Sequence, residues 1–266
     1  MPLAPELATI RGIAGKFREA GLVGEMIVGM ARGKERNLID DARRLLVEYG
    51  GDEFVEVSGL ENIREECGGL MVINHPNSDI LVPAILNLIV WVYDQSGHEP
   101  VFLMGEEIPL TQVFNKIYPL PGSIQLIRRF QHLYSDNIIP VPVSRSRIDY
   151  RSGRAEASEK AMAILNSGGV VIVSPEGHVE VGNTISPVET FHAGTGRMAI
   201  AASMNGVDIL PVGIWDEDGK TIRVQIGEPF RIEEVSGIGA VNEVMSRIAD
   251  ELPERFRGPF ANSGKV

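Results

Sequence analysis

Residues 70–79 read Leu70-Met71-Val72-Ile73-Asn74-His75-Pro76-Asn77-Ser78-Asp79, the end of a strand running into the start of a helix. The apolar, partly β-branched run 70–73 suits a strand buried on both faces. Asn77, Ser78 and Asp79 satisfy the free N–H groups of a helix start, and Pro76 fits a first helical position because it lacks an N–H that would go unpaired. From this junction the same alternation extends in both directions. FVEV (54–57), LMVIN (70–74), VFLM (101–104), IIPVPV (138–143), VVIVS (170–174), DILPVGI (208–214) and TIRVQI (221–226) read as strands. Helical patterns lie between or after them: 156–166 before Gly168-Gly169, 188–204 before Asn205-Gly206, and a last helix marked by Val241, Val244, Ile248 and Leu252.

Residues 1–50 differ. Leu3, Leu7, Ile10, Ala14 and Phe17 step by three and four, as do Leu38, Ala42, Leu45 and Tyr49 before Gly50-Gly51. The expected fold class is α/β: a mixed, largely parallel sheet flanked by helices, with an N-terminal helical segment. The expected organisation is a helical segment over 1–50, an α/β domain over 51–256, and a loose C-terminal tail over 257–266.

Composition narrows the function. The 266 residues carry a net charge of −11, which argues against general nucleic-acid binding. The lone cysteine, Cys67, excludes internal disulfides and Cys-rich zinc sites. The longest mostly apolar uncharged run, Ile80–Tyr93, has 14 residues, against the about 20 that a membrane-spanning helix needs. It reads as a buried helix or strand. Glu6 and Arg11 stand where a secretory apolar region would lie, so the expected compartment is the cytoplasm. The charge is uneven: residues 51–115 hold eleven acids and one base, whereas residues 116–160 hold eight bases and four acids. Such a basic island is where an anion would settle, unless it is an ordinary solvated face.

Three clusters have the residue types for chemistry. His75 follows a strand end, where ligands bind in α/β sheets. If the helix starts at Pro76, Asp79 lies one turn along on the same side, placed to fix the imidazole tautomer as in a general-base dyad. The same residues also make an ordinary polar helix cap. In SPEGHVE (174–180), Pro175 stops a strand, Glu176 presents a carboxylate and Gly177 permits a positive φ. That loop either binds a hydroxylated or phosphorylated acceptor or is a plain strand-to-helix turn. Arg145 and Arg147, just past IIPVPV, suit bidentate phosphate binding or surface ion pairing.

Together, in this order, the clusters resemble the glycerolipid acyltransferase family of lysophosphatidic acid and glycerol-3-phosphate acyltransferases. FVEVSGLENIREECGGLMVINHPNSDI resembles the family's approach of strand, Gly turn, Gly-Gly, strand and Asn-His. VPVSR resembles its second block, ending at Arg145. VVIVSPEGHVE resembles the third, with FHAGTGRMAIAA following it, and ILPVGI the fourth, around Pro211. The likeness covers about residues 54–230 and makes 51–256 an acyltransferase domain.

The resemblance implies a mechanism. His75 takes the proton of an acceptor hydroxyl that attacks an acyl thioester, with acyl-CoA or acyl carrier protein as donor, and Asp79 orients it. Backbone N–H groups at the helix start stabilise the oxyanion. Arg145 and Arg147 hold the acceptor phosphate of a glycerol phosphate, lysophospholipid or related lipid, and Glu176 and Gly177 shape its hydroxyl pocket. No metal or prosthetic group is implied, and any membrane contact would be peripheral. Candidate surfaces for that contact are segment 80–93 and the N-terminal helices, with Arg32, Lys34, Arg36, Arg43 and Arg44.

The chain departs from the family pattern twice. It has His-x3-Asp where the family has His-x4-Asp, so either the turn is tightened or the dyad is degenerate. It has Glu176-Gly177-His178-Val179 where the family has Glu-Gly-Thr-Arg, so His178 takes over part of the arginine's contact or the acceptor is not a lysophosphatidate. The alternative function is a non-catalytic lipid or acyl-thioester binding protein. A thioesterase-like hydrolase is a third reading, but neither Ser78 nor Ser174 lies in a Gly-x-Ser-x-Gly elbow.

Overall fold

A computed structural model describes residues 20–49, 54–64, 68–106, 123–143, 148–187, 190–191, 193–234 and 236–261. In chain order its elements are α1 (Ala20–Arg32), α2 (Leu38–Tyr49), β1 (Val55–Ser58), β2 (Gly69–Ile73), α3 (Ser78–Ser96), β3 (Val101–Gly105) and α4 (Ser123–Leu133). There follow β4 (Ile138–Val141), α5 (Tyr150–Asn166), β5 (Val170–Val173), α6 (Ala193–Met204), β6 (Asp208–Asp216), β7 (Ile222–Ile226) and α7 (Gly237–Asp250). The periodicity from Leu3 to Phe17 lies outside the described residues.

The fold is α/β, as its alternating pattern implies. Seven strands form one sheet in the order β1-β7-β6-β2-β5-β3-β4. Every pairing is parallel except β6 with β7. The central strands β2 and β5 are buried at every position, which is why each reads as an unbroken apolar run.

Alternate residues of these strands feed two cores. Met71, Ile73, Val170, Ile172, Val212 and Ile214 face Ile80, Ala84, Leu88 and Val92, four-residue steps along one side of α3. Leu70, Val72, Val171 and Val173 point the other way, into a layer built from α5, α6 and α7. There α6 and α7 meet backbone to backbone: a Cβ on Gly196 would lie 2.0 Å from the Gly237 carbonyl oxygen.

A third core lies on the far side of α3, where Leu86 and Ile89 meet Leu22, Leu38, Ile39, Leu133 and Tyr134 of the α1, α2 and α4 region. Segment 80–93 is therefore a helix, apolar on two sides because it lies between the sheet and a second helical layer. Asn87, buried inside it, donates its side-chain N–H to the Pro83 carbonyl at 3.0 Å. No helix among the described residues is long and apolar enough to cross a membrane.

The N-terminal helices are fastened by charge. Asp41, 3% exposed, accepts from Arg36 Nε and Nη2 at 2.6 Å each and from the Tyr134 hydroxyl at 2.8 Å. Arg36 and Arg44 also reach Glu25, and Arg43 pairs with Asp94. At the other end of the chain, residues 254–260 form two short 3-10 turns, with Phe256 and Phe260 packed on the α5–α7 core.

Candidate active site

Strands β2 and β5 are neighbours, but the chain leaves β2 for α3 on one face of the sheet and β5 for α6 on the other. At such a switch point the carboxyl ends of adjacent strands part and leave a crevice. His75 and Glu176 both lie here.

The β2 turn is set by Asn74, 1% exposed. Its Oδ1 accepts the Ile214 N–H at 2.7 Å and its Nδ2 donates to the Ile214 carbonyl at 2.9 Å. The side-chain amide thus replaces a peptide in the β2–β6 ladder just after Ile73 pairs with Val212. Nδ2 also donates to Glu180 Oε1 at 2.9 Å. The next residue, His75, is held by its main chain: its N–H donates to Glu176 Oε2 at 3.0 Å and its carbonyl accepts from the Glu180 N–H at 2.8 Å.

Glu176 is fully buried. Its Oε1 accepts the Ser186 N–H at 2.8 Å, so each oxygen is engaged by a backbone donor. It braces the turn from beneath. Gly177 supplies the φ of +67° that lets the loop double back. His178 has both ring nitrogens engaged, Nδ1 donating to the Glu176 carbonyl at 2.7 Å, which leaves Nε2 to accept from Ser186 Oγ at 3.0 Å. Asn77 joins the two loops: its backbone and side-chain N–H groups both donate to Asn183 Oδ1.

The His75 ring is half-buried, and its Nδ1 is sealed from solvent without a hydrogen-bond partner. Burial pulls its pKa below the ordinary imidazole value, and the charge that most opposes this is that of Glu176. A neutral imidazole near pH 7 follows, the form a general base requires.

The helix start on which the spacing of His75 and Asp79 was read is shifted. The helix begins at Ser78 with Asn77 as its cap, two residues later than a start at Pro76, so His75 precedes the helix. Asp79 is exposed on the first turn, and the structure contains no bond from it to Nδ1. Asn77 Oδ1 accepts the N–H groups of Asp79 and Ile80, so these two helix-start donors are already occupied. Arg145 and Arg147 lie outside the described residues.

Asn77, Asn183, Ser186 and Glu180 were not among the expected site residues. Glu180, four residues after Glu176, is 5% exposed. Its Oε2 accepts no hydrogen bond. Burial first, and the neighbouring Glu176 second, push its pKa up, to about 8. Among the described residues no three His, Cys, Asp or Glu side chains are grouped so as to hold a metal ion.

The chain is similar to the 1-acyl-sn-glycerophosphate (LPA) acyltransferase PlsC from Thermotoga maritima, at 19% identity over 89% of this chain and 84% of that one, with a TM-score of 0.45. No curated protein matches it. A family model described as Acyltransferase matches residues 54–215, more than half of the chain, from β1 through both crevice loops and into β6. With the turn after β2, the loop after β5 and the strand that anchors them all inside that match, the chain belongs to the acyltransferase family.

Proposed function

We propose that the protein transfers a fatty acyl group from a thioester donor, acyl-CoA or acyl carrier protein, to a hydroxyl of a glycerol phosphate, lysophospholipid or related lipid, with His75 as general base. The observation that carries this is the His75 environment: a neutral imidazole on a braced turn at the switch point of the sheet. His75 takes the acceptor O–H proton as the oxygen attacks the thioester carbonyl. The tetrahedral adduct collapses with loss of the C–S bond, and the departing thiolate receives the proton back from His75.

Asp79, one residue short of the family's His-to-Asp spacing, is the candidate to orient the imidazolium, and Glu176 supplies negative charge beneath it. Arg145 and Arg147 are the candidates for an acceptor phosphate. Glu176, with both oxygens on backbone N–H groups, supports the acceptor pocket by fixing its walls, Gly177 by its backbone turn and His178 by its bond to Ser186. The reaction calls for no metal or prosthetic group, and the contact proposed with a lipid acceptor is peripheral, no helix among the described residues being long and apolar enough to cross a membrane.

Thiol release from acyl-CoA and acyl carrier protein, measured with a panel of glycerol phosphate and lysophospholipid acceptors, tests the reading. Acceptor-dependent release that disappears in His75→Ala is the expected result. The competing reading, a thioester-binding protein with a degenerate dyad, has the missing Nδ1–Asp79 bond on its side. Donor binding without turnover on any acceptor would establish it.

A further inference from the structure

Two carboxyl groups lie side by side beneath the Asn74–His75 turn. Glu176 is fully buried and Glu180 is 5% exposed, and Glu180 is within hydrogen-bond reach of Glu176. Among the described residues no lysine or arginine pairs with either. Among the described residues the titratable groups on the elements around Glu180 include Glu176 and His178 on its own loop and His75 on the β2 turn; the Asn74 amide, held on Ile214, links it to β6. Two buried like charges without a cation cannot both ionise cheaply, and the usual outcome is one proton held between them.

The bonding pattern says where the proton sits. Both Glu176 oxygens accept backbone N–H bonds, which a charged acceptor does best. Glu180 Oε1 accepts from Asn74, and Oε2 receives nothing. A bare carboxylate oxygen buried in that way would be costly, whereas an O–H there has an acceptor in Glu176, whose oxygens each retain a second lone pair.

We infer that Glu176 and Glu180 form a buried acid pair sharing one proton, and that neutral Glu180 is a positioning residue that holds the Asn74–His75 turn. Glu180 receives the Asn74 amide on one oxygen and donates to Glu176 from the other, so both sides of the turn are tied to a single carboxyl group. Loss of the proton places two negative charges in contact and loosens that tie. The effect on catalysis rests on His75 being the base; the pair itself does not.

Glu180→Gln separates the two claims. A glutamine keeps an acceptor for Asn74 and offers an N–H to Glu176, and it cannot titrate. In full-length protein with 13C-labelled glutamate carboxyls, one signal is expected to titrate well above the ordinary carboxylate range and to vanish in Glu180→Gln.

Unfolding by urea gives a second reading. The folded pKa is raised, so the folded chain holds a proton that the unfolded chain has lost, and stability falls as pH rises from about 4.5 to about 8. That fall should flatten in Glu180→Gln. In the acyl-transfer assay the alkaline loss of kcat should share the carboxyl's midpoint and be absent in Glu180→Gln. Glu180→Ala should lower kcat at every pH more than KM changes, with Glu180→Gln restoring it.

A glutamate spectrum with no carboxyl titrating near 8, or such a signal that survives in Glu180→Gln, overturns the pair; Glu251, raised by its own burial, is a separate signal present in both proteins. An active enzyme whose pH profile is the same in Glu180→Gln overturns the positioning role. A chain with no transferase activity leaves the carboxyl and urea readings to decide the pair, and removes only the His75 reading.

Discussion

Among the described residues, buried carboxylates lie in two regions that treat them in opposite ways. Asp41, on the first turn of α2, is matched by the Arg36 guanidinium on both oxygens and by the Tyr134 hydroxyl. That contact raises the Arg36 pKa further above its usual value, and burial with the Asp41 contact raises that of Tyr134. Charge there is cancelled in place, and the cluster ties α2 to the end of α4. Beneath His75 no cation among the described residues answers the acids, and the excess charge faces an imidazole. A neutralised acid fastens structure, whereas an acid left without a cation keeps its field for whatever stands beside it.

The largest effect that sharpens this contrast is on turnover. His75→Ala is expected to lower kcat by about 10²–10⁴-fold, the range of a lost general base, while urea unfolding changes little. In the wild type, the acid limb of kcat/KM should lie below the ordinary imidazole value of about 6.5, because activity needs the neutral ring and burial lowers its pKa. Next comes Asp41→Ala, which leaves Arg36 and Tyr134 without their partner. It should cost about 3–5 kcal/mol of stability with kcat preserved in the folded enzyme, measured by urea unfolding and by turnover. Lost turnover in a fully folded Asp41→Ala protein would break the contrast.

Tyr134→Phe removes one bond to the same charged group and should cost about 1.5–3 kcal/mol in the same unfolding experiment. The smallest expected effect is that of Asp79→Asn, a drop in kcat of about tenfold or some 1.4 kcal/mol. A loss as large as that of His75→Ala would mean that Asp79 closes on Nδ1 when substrate binds.

Much of the fold could be read from single residues. All seven strands match the expected runs to within about two residues. The central strands β2 and β5, covered on both faces, leave no polar side to interrupt the apolar run, whereas β1 and β7 show through alternation of buried and more exposed residues. Helices were harder to read. Segment 80–93 had no periodicity to separate helix from strand, being apolar towards both the sheet and the outer helices. Helix α4 went unread: Gln131, an amide at a buried position, breaks its apolar stripe in order to bond the Gly105 carbonyl at 2.9 Å.

The site was legible as residue types and not as directions. Nothing in SPEGHVE says that Glu176 turns both oxygens onto main-chain donors, or that Glu180 is buried against it, since acids are ordinarily solvent-facing. His75 could be located by its place after a strand. Its relation to Asp79 could not, because that depends on where the helix begins, and Asn77 rather than Pro76 sets the start.

The amide of Asn74 has one more consequence, in time rather than in space. Its partner Ile214 lies 140 positions later in the chain, and Glu176 lies 101 positions after His75. At a synthesis rate of about 5–20 residues per second, roughly 7–28 s separate the appearance of Asn74 from that of Ile214. During that interval β2 exists without the strand that completes its end, and the turn cannot take its final form. Most of the polypeptide must be made before His75 is set in place, so a chain broken off before β6 would carry the histidine without the arrangement that holds it.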